Sequence, residues 1–120
     1  MADNTSNEML LGDVVANADL SAQQFNLVKI DATTDRAVIL AVANTDVVLG
    51  VLCNKPTLGV AALVQIDGEA KVRYGAAVVR GAALMSDTAG HAITQTTTNP
   101  VFAYALESGA SGEVHSVTLV

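Results

Sequence analysis

The chain has no tryptophan and only four aromatic residues among its 120, Phe25, Tyr74, Phe102 and Tyr104. Modules that bind sugars or small molecules present aromatic platforms, and only Phe102 and Tyr104 lie close together here, at alternate positions that would face one side of a strand. A small-molecule or carbohydrate-binding β module is therefore the alternative reading, not the first. With a single cysteine, Cys53, an internal disulfide is excluded, and the residue suits a reducing compartment and a small buried position in a strand. Positive charge is also scarce: six Lys and Arg against twelve Asp and Glu leave a net charge of −6, and the cations are scattered from Lys29 to Arg80. Binding a phosphate backbone requires concentrated positive charge, so direct nucleic-acid binding is not expected. No apolar run approaches the roughly 20 residues of a membrane-crossing helix. The polar start, Met1 to Glu8, lacks the basic and apolar regions of a signal peptide, so the protein is expected to stay in the cell that makes it.

What the sequence does contain is aliphatic. Half of it is apolar, chiefly Ala and Val. Burial contributes roughly 25 cal/mol per Å², and alanine offers little area per ordered residue, so such a core leaves a thin margin over conformational entropy and favours association. Residues 1–9 read as a flexible arm that ends where Met9-Leu10-Leu11 introduce apolar character, and residues 10–120 as a single β domain. Residues 14–24 are ambiguous. Val14-Val15 can close a strand, while residues 17–24 can form a helical turn capped by Asn17 or Asp19, so at most one short helix is expected there.

Beyond Phe25 the segments are short, β-branched and separated by turn residues. Breaks fall at residues 31–35 and 44–46, and at Asn54-Lys55-Pro56, where proline cannot donate to a ladder. Residues 60–74 alternate most clearly: Val60, Ala62, Val64 and Ile66 lie on one face before Asp67-Gly68, and Ala70, Val72 and Tyr74 alternate with Glu69, Lys71 and Arg73 after it. Asp-Gly between alternating runs predicts a hairpin. Further turns are expected at residues 86–90, in the threonine-rich stretch 94–100, and in the small-residue loop 107–112 between the last two strands. The fold class is all-β, a compact β-barrel or β-sandwich of short strands with hairpin turns.

Groups capable of chemistry do not converge. His91 and His115 are the only imidazoles, and with one cysteine they offer no zinc-ligand spacing. Ser86-Asp87 lies near His91, but nothing around it resembles a nucleophile elbow, and Ser-Asp in a turn is expected for backbone capping. The glycines of the 107–112 loop are not followed by the helix pattern or lysine of a phosphate cradle. No catalytic residue, cofactor or metal is assigned, and the protein is not expected to be an enzyme.

The order of segments resembles that of the small capsid decoration, or cement, proteins of tailed bacteriophages. Val48-Leu49-Gly50-Val51-Leu52, Lys55-Pro56 and residues 64–72 are similar to the middle of those proteins. Gly81, Leu84, Asp87 and Gly90 match a recurring pattern of Gly, Leu, Asp and Gly with two residues between each, and residues 105–114 resemble the closing segment. The resemblance runs over residues 9–120. It implies a β-barrel or sandwich that assembles as a homotrimer on the outer surface of an expanded head, made in the host cytoplasm, where it clamps neighbouring copies of the major capsid protein. It carries no catalytic residues. Contacts with the shell or a neighbouring copy are expected from the arm, at Asn4, Thr5, Glu8, Met9, Leu10 and Leu11. Far-UV circular dichroism should be dominated by β-structure; a helix-rich spectrum would contradict the architecture.

Overall fold

The computed structural model describes residues 9–120 and contains ten strands and no helix among them. The first half of the chain supplies β1 (Met9–Ala16), β2 (Leu27–Ile30), β3 (Ala37–Leu40), β4 (Gly50–Leu52) and β5 (Ala61–Asp67). These close into a barrel in the order β1-β3-β2-β4-β5. The second half supplies β6 (Glu69–Arg73), β7 (Ala83–Ser86), β8 (Ala92–Thr94), β9 (Ala103–Ala105) and β10 (Val114–Leu119), which form a second sheet in the order β6-β10-β9-β7-β8. One parallel ladder closes the barrel: Val15 and Ala16 of β1 lie beside Ala37 and Val38 of β3, while the opposite side of β1 runs antiparallel to β5. The second sheet brings its own edges together at one end, where Tyr74 is bridged to Ala92 and the Gly75 N–H donates to the Ala92 carbonyl at 2.9 Å.

The Asp67-Gly68 pair does not make the expected hairpin. β5 pairs with β1 and β4 of the barrel, whereas β6 pairs with β10 of the second sheet. Gly68, at φ +83°, stands alone between the two strands, and the Asp67 carboxylate accepts its N–H at 2.9 Å. The reason lies in where the two apolar faces go. Ala62 and Val64 enter the barrel core, and Ala70, Val72 and Tyr74 enter the core between the sheets, so the chain must leave one sheet at this turn and enter the other. The Gln65 amide stabilises the crossing by donating to the carbonyls of Asp67 and Glu69.

Two further local readings resolve differently once packed. Residues 17–24 form irregular turns rather than a helix. The Asp19 carboxylate accepts the Ser21 N–H two residues on, an Asx-turn bond that competes with helix capping, and the Leu20 N–H donates to the Pro56 carbonyl while its side chain is buried in the barrel. Phe102 and Tyr104 do not share an environment: Phe102 precedes β9 and is buried, while Tyr104 is exposed.

The two cores share a wall. Leu27 and Val28 are adjacent in β2 and neither is exposed, and Val51 and Leu52 repeat this in β4. Leu27 and Val51 face the core between the sheets, with Val72, Tyr74, Leu84, Phe102 and Val117; Val28 and Leu52 face the barrel interior, with Val14, Val38, Ala62 and Val64. Strands covered on both faces read as continuous apolar runs, which explains Leu27-Val28 and Val51-Leu52. The wall also limits side-chain size. A Cβ on Gly50 would lie 2.2 Å from the Gln65 carbonyl oxygen, and one on Gly90 would lie 2.4 Å from the Leu40 Cδ1.

Two substitutions test this arrangement. Leu27→Ala should cost about 2–5 kcal/mol, the range for emptying a buried leucine site. Gly50→Ala should destabilise through overpacking by about 1–3 kcal/mol or more, because the obstacle is backbone. Urea denaturation checks both, and a Gly50→Ala protein as stable as the wild type would contradict the close approach of β4 to β5.

Candidate functional site

Of the residues expected to make contacts, Asn4, Thr5 and Glu8 lie outside the described residues. Met9, Leu10 and Leu11 are the first residues of β1, opposite Asp67, Gln65 and Val64 of β5. Their roles diverge across a register shift between Met9 and Leu10: Met9 and Leu10 are about half exposed, whereas Leu11 packs against the barrel core. Met9 thus already belongs to the ladder, and an outward contact from this group falls to Met9 and Leu10.

The residues examined for chemistry are engaged locally. Ser86 is fully buried, and its hydroxyl donates to the Asp87 carbonyl at 2.8 Å. One Asp87 carboxylate oxygen accepts the N–H groups of Ala89 and His91, and the other lies 3.6 Å from the His91 Nδ1. This is a capped turn, with the hydroxyl directed at the main chain. Cys53 is half-buried just after β4, with its Sγ 3.5 Å from the Val51 carbonyl. Among the described residues no three His, Cys, Asp or Glu side chains are grouped to hold a metal ion. No described helix is long and apolar enough to cross a membrane.

His115 is engaged at both of its ring nitrogens. Its Nδ1 lies 2.8 Å from Glu107 and its Nε2 2.9 Å from Glu113, and its ring centroid is 5.2 Å from that of Tyr74. The Tyr74 hydroxyl donates to the Glu107 carbonyl at 2.7 Å. Burial, and then the nearby Glu107 charge, raise the pKa of that phenol.

The surface feature that sequence reading missed is an apolar face beside β2 and β4. A groove of about 360 Å³ is lined by Lys29, Ile30, Val47, Val48 and Leu49. A second, of about 220 Å³, shares Val47, Val48 and Leu49 and continues to Ile66, Val101 and Val120. Val47, Val120 and Ile30 are 74%, 71% and 65% exposed. Residues 47–53 read as one strand, yet β4 begins only at Gly50, and the preceding three apolar residues form the rim. The signal was present in the run from Val47 to Leu52, aliphatic apart from Gly50 and longer than the three-residue strand.

The rim is held by Asp46. Its carboxylate accepts the N–H groups of Val42 and Ala43, at 2.9 and 3.0 Å, and the Lys29 ammonium at 3.0 Å. Partial burial pushes the Asp46 pKa up, but the Val42 N–H, the Lys29 ammonium and the Ala43 N–H together outweigh it, so the net shift is downward. A depressed carboxylate stabilises the fold above its ordinary value near 3.8, and that contribution is lost as pH falls through the lower folded-state value. Asp46→Ala should therefore destabilise by about 1.5–3 kcal/mol at pH 6, the range for hydrogen bonds to a charged group. The difference from wild type should shrink in strong acid, as thermal melts across pH would show.

No family model matches the sequence, and no curated protein matches it. Among solved structures, the crystal structure of the head fiber gp8.5 N base of bacteriophage phi29 superposes with a TM-score of 0.74. The match spans 94% of each chain at 16% sequence identity, a likeness of fold.

Proposed function

We propose that this chain is a structural protein of a bacteriophage head. In this reading it is a decoration or cement protein that sits on the outside of the expanded shell as a homotrimer and clamps copies of the major capsid protein, with no catalytic step of its own. The observation that carries the reading is the end-to-end likeness of fold to the base of a phage head fiber, a protein whose name places it on a head. Two properties of the molecule support it. The side chains with catalytic potential are committed to turns and loop anchors, and the exposed apolar face around Val47 has the character of a protein-contact surface. The groove there is walled by aliphatic side chains and the stem of Lys29, with no aromatic platform for a sugar ring.

Seating on a shell needs contacts that are weak one by one and strong in number. A trimer touching several capsid subunits gains avidity by holding them together. Two surfaces qualify on this chain, the Val47 face and the outward side of Met9 and Leu10, from which residues 1–8 precede β1.

The test is occupancy on expanded heads, measured by co-sedimentation, together with the temperature at which those heads release DNA. Val47→Glu with Ile30→Glu should reduce occupancy at least tenfold while leaving the isolated protein's melting temperature nearly unchanged, since both side chains are largely exposed. Deletion of residues 2–8 and, separately, Leu10→Ser test the second surface. Leu11→Ser is less informative because that side chain packs on the barrel core. Unchanged occupancy and thermal protection in every variant would remove both surfaces from the proposal, and failure of the wild-type protein to bind heads would overturn it.

A further inference from the structure

We propose that His115, clasped between Glu107 and Glu113, is a pH-operated latch that holds the loop joining β9 to β10 in its closed form only while the imidazole carries two protons. The geometry makes the requirement. Carboxylates face both ring nitrogens within 2.9 Å, Glu107 at Nδ1 and Glu113 at Nε2. A neutral imidazole has one N–H and one lone pair, so it can donate to only one of them and would turn a lone pair toward the other; the imidazolium donates to both.

The two carboxylates are themselves tied to the main chain, Glu107 to β10 and Glu113 to the middle of the loop. Glu107 Oε1 also accepts the Ser116 N–H at 3.2 Å, and Glu113 Oε1 accepts the Ala110 N–H at 2.8 Å. The imidazole therefore joins the two ends of the loop through their side chains. Its ring lies over Tyr74 and against Gly109, where a Cβ would sit 2.2 Å from the ring Cδ2. The loop in turn braces its neighbour at residues 75–81: Gly109 exchanges main-chain hydrogen bonds with Val78, the Arg80 N–H donates to the Ser108 hydroxyl, and the Ser111 hydroxyl donates to the Gly75 carbonyl. Arg73 of β6 donates to the Gly112 carbonyl, and Lys71 on the same strand is the remaining charge acting on Glu107. Among the described residues only partial burial opposes protonation of the imidazole.

The direction of the pH response follows. Hydrogen bonds that the ring donates to Glu113 and Glu107 raise the His115 pKa above its ordinary value of 6.5. Its contribution is complete below 6.5 and is lost as pH rises through the raised folded-state value. Glu107 is lowered chiefly by His115 and then by the Ser116 N–H, and Glu113 by the Ala110 N–H and then by His115. Their contribution is present above the ordinary 4.5 and is lost as pH falls through the lowered values. The latch is thus fully closed between about 4.5 and 6.5, persists somewhat beyond that range at both ends, and opens further out on either side.

The experiment is NMR on the full chain, which needs no phage head, so its failure and that of the proposed function are separable. At pH 6 both His115 ring nitrogens should be protonated, with a titration midpoint above 6.5. Glu107→Gln and Glu113→Gln should each lower that midpoint. Amide protection at Ala110 and Ser116 should fall about tenfold across the wild-type titration, after correction for intrinsic exchange, the scale of losing one hydrogen bond. In His115→Gln, protection at these amides should not vary over the same range. If that variant does not fold, the wild-type titration and the two glutamine variants decide. A midpoint at or below 6.5, indifference to both glutamine substitutions, or constant wild-type protection across the titration would overturn the latch.

Discussion

The double burial of β2 and β4 is the constraint on which the rest of the structure depends. Each strand sends alternate side chains into two separate apolar cores, Leu27 and Val51 into one and Val28 and Leu52 into the other. Because this wall belongs to both the barrel and the second sheet, neither half of the chain can bury its apolar residues without the other. Main-chain bonds reinforce the join, with the Leu27 N–H donating to the Gly90 carbonyl at 2.7 Å and the Arg73 N–H to the Phe25 carbonyl at 3.0 Å. An Ala/Val composition suits such a wall. Small side chains let layers approach closely, and area lost per residue is offset by using both faces of the same strand.

The same arrangement shapes the surface. Because β4 is only three residues long, the apolar run that leads into it emerges from the core at Val47 and is held there by Asp46 and Lys29. An exposed aliphatic rim tied by a partly buried ion pair has less side-chain and loop freedom left to lose on binding. At His115 the restraint depends on a protonated imidazole as well as on ionised carboxylates. The Asp46 anchor is thus weakened by acid, whereas the His115 latch is weakened on both sides of a window.

Much of the fold was legible in particular residues. Alternation in residues 60–74 identified Ala62, Val64, Ala70, Val72 and Tyr74, each of which is buried, and Ile66, which is partly buried, whereas Val60, assigned to the same face, precedes β5 and is exposed. The turn at residues 86–90 was legible from Ser86, Asp87 and Gly90, and its capping by Asp87 is present at the expected atoms. The apolar rim was less legible, since Val47, Val48 and Leu49 satisfy a strand pattern as well as they satisfy a surface one. Sequence reading assigned His115 no role beyond its lack of zinc-ligand spacing, because its two carboxylates come from opposite ends of a loop whose closure no local pattern reveals.

By itself the sequence determined the class of structure: short β-branched segments, glycines where the chain must take positive φ, and alternation marking which side chains turn inward. These are local properties, set by steric preference and by hydrophobicity over a few residues. Tertiary structure alone decided which strands pair. Asp67-Gly68 specifies a reversal but not a partner, and β5 and β6 part there because β1 and β10 supply their ladders from opposite ends of the chain. Pairing and the meeting of distant carboxylates with His115 are both set by which surfaces exclude water together, and that is a property of the whole packed chain.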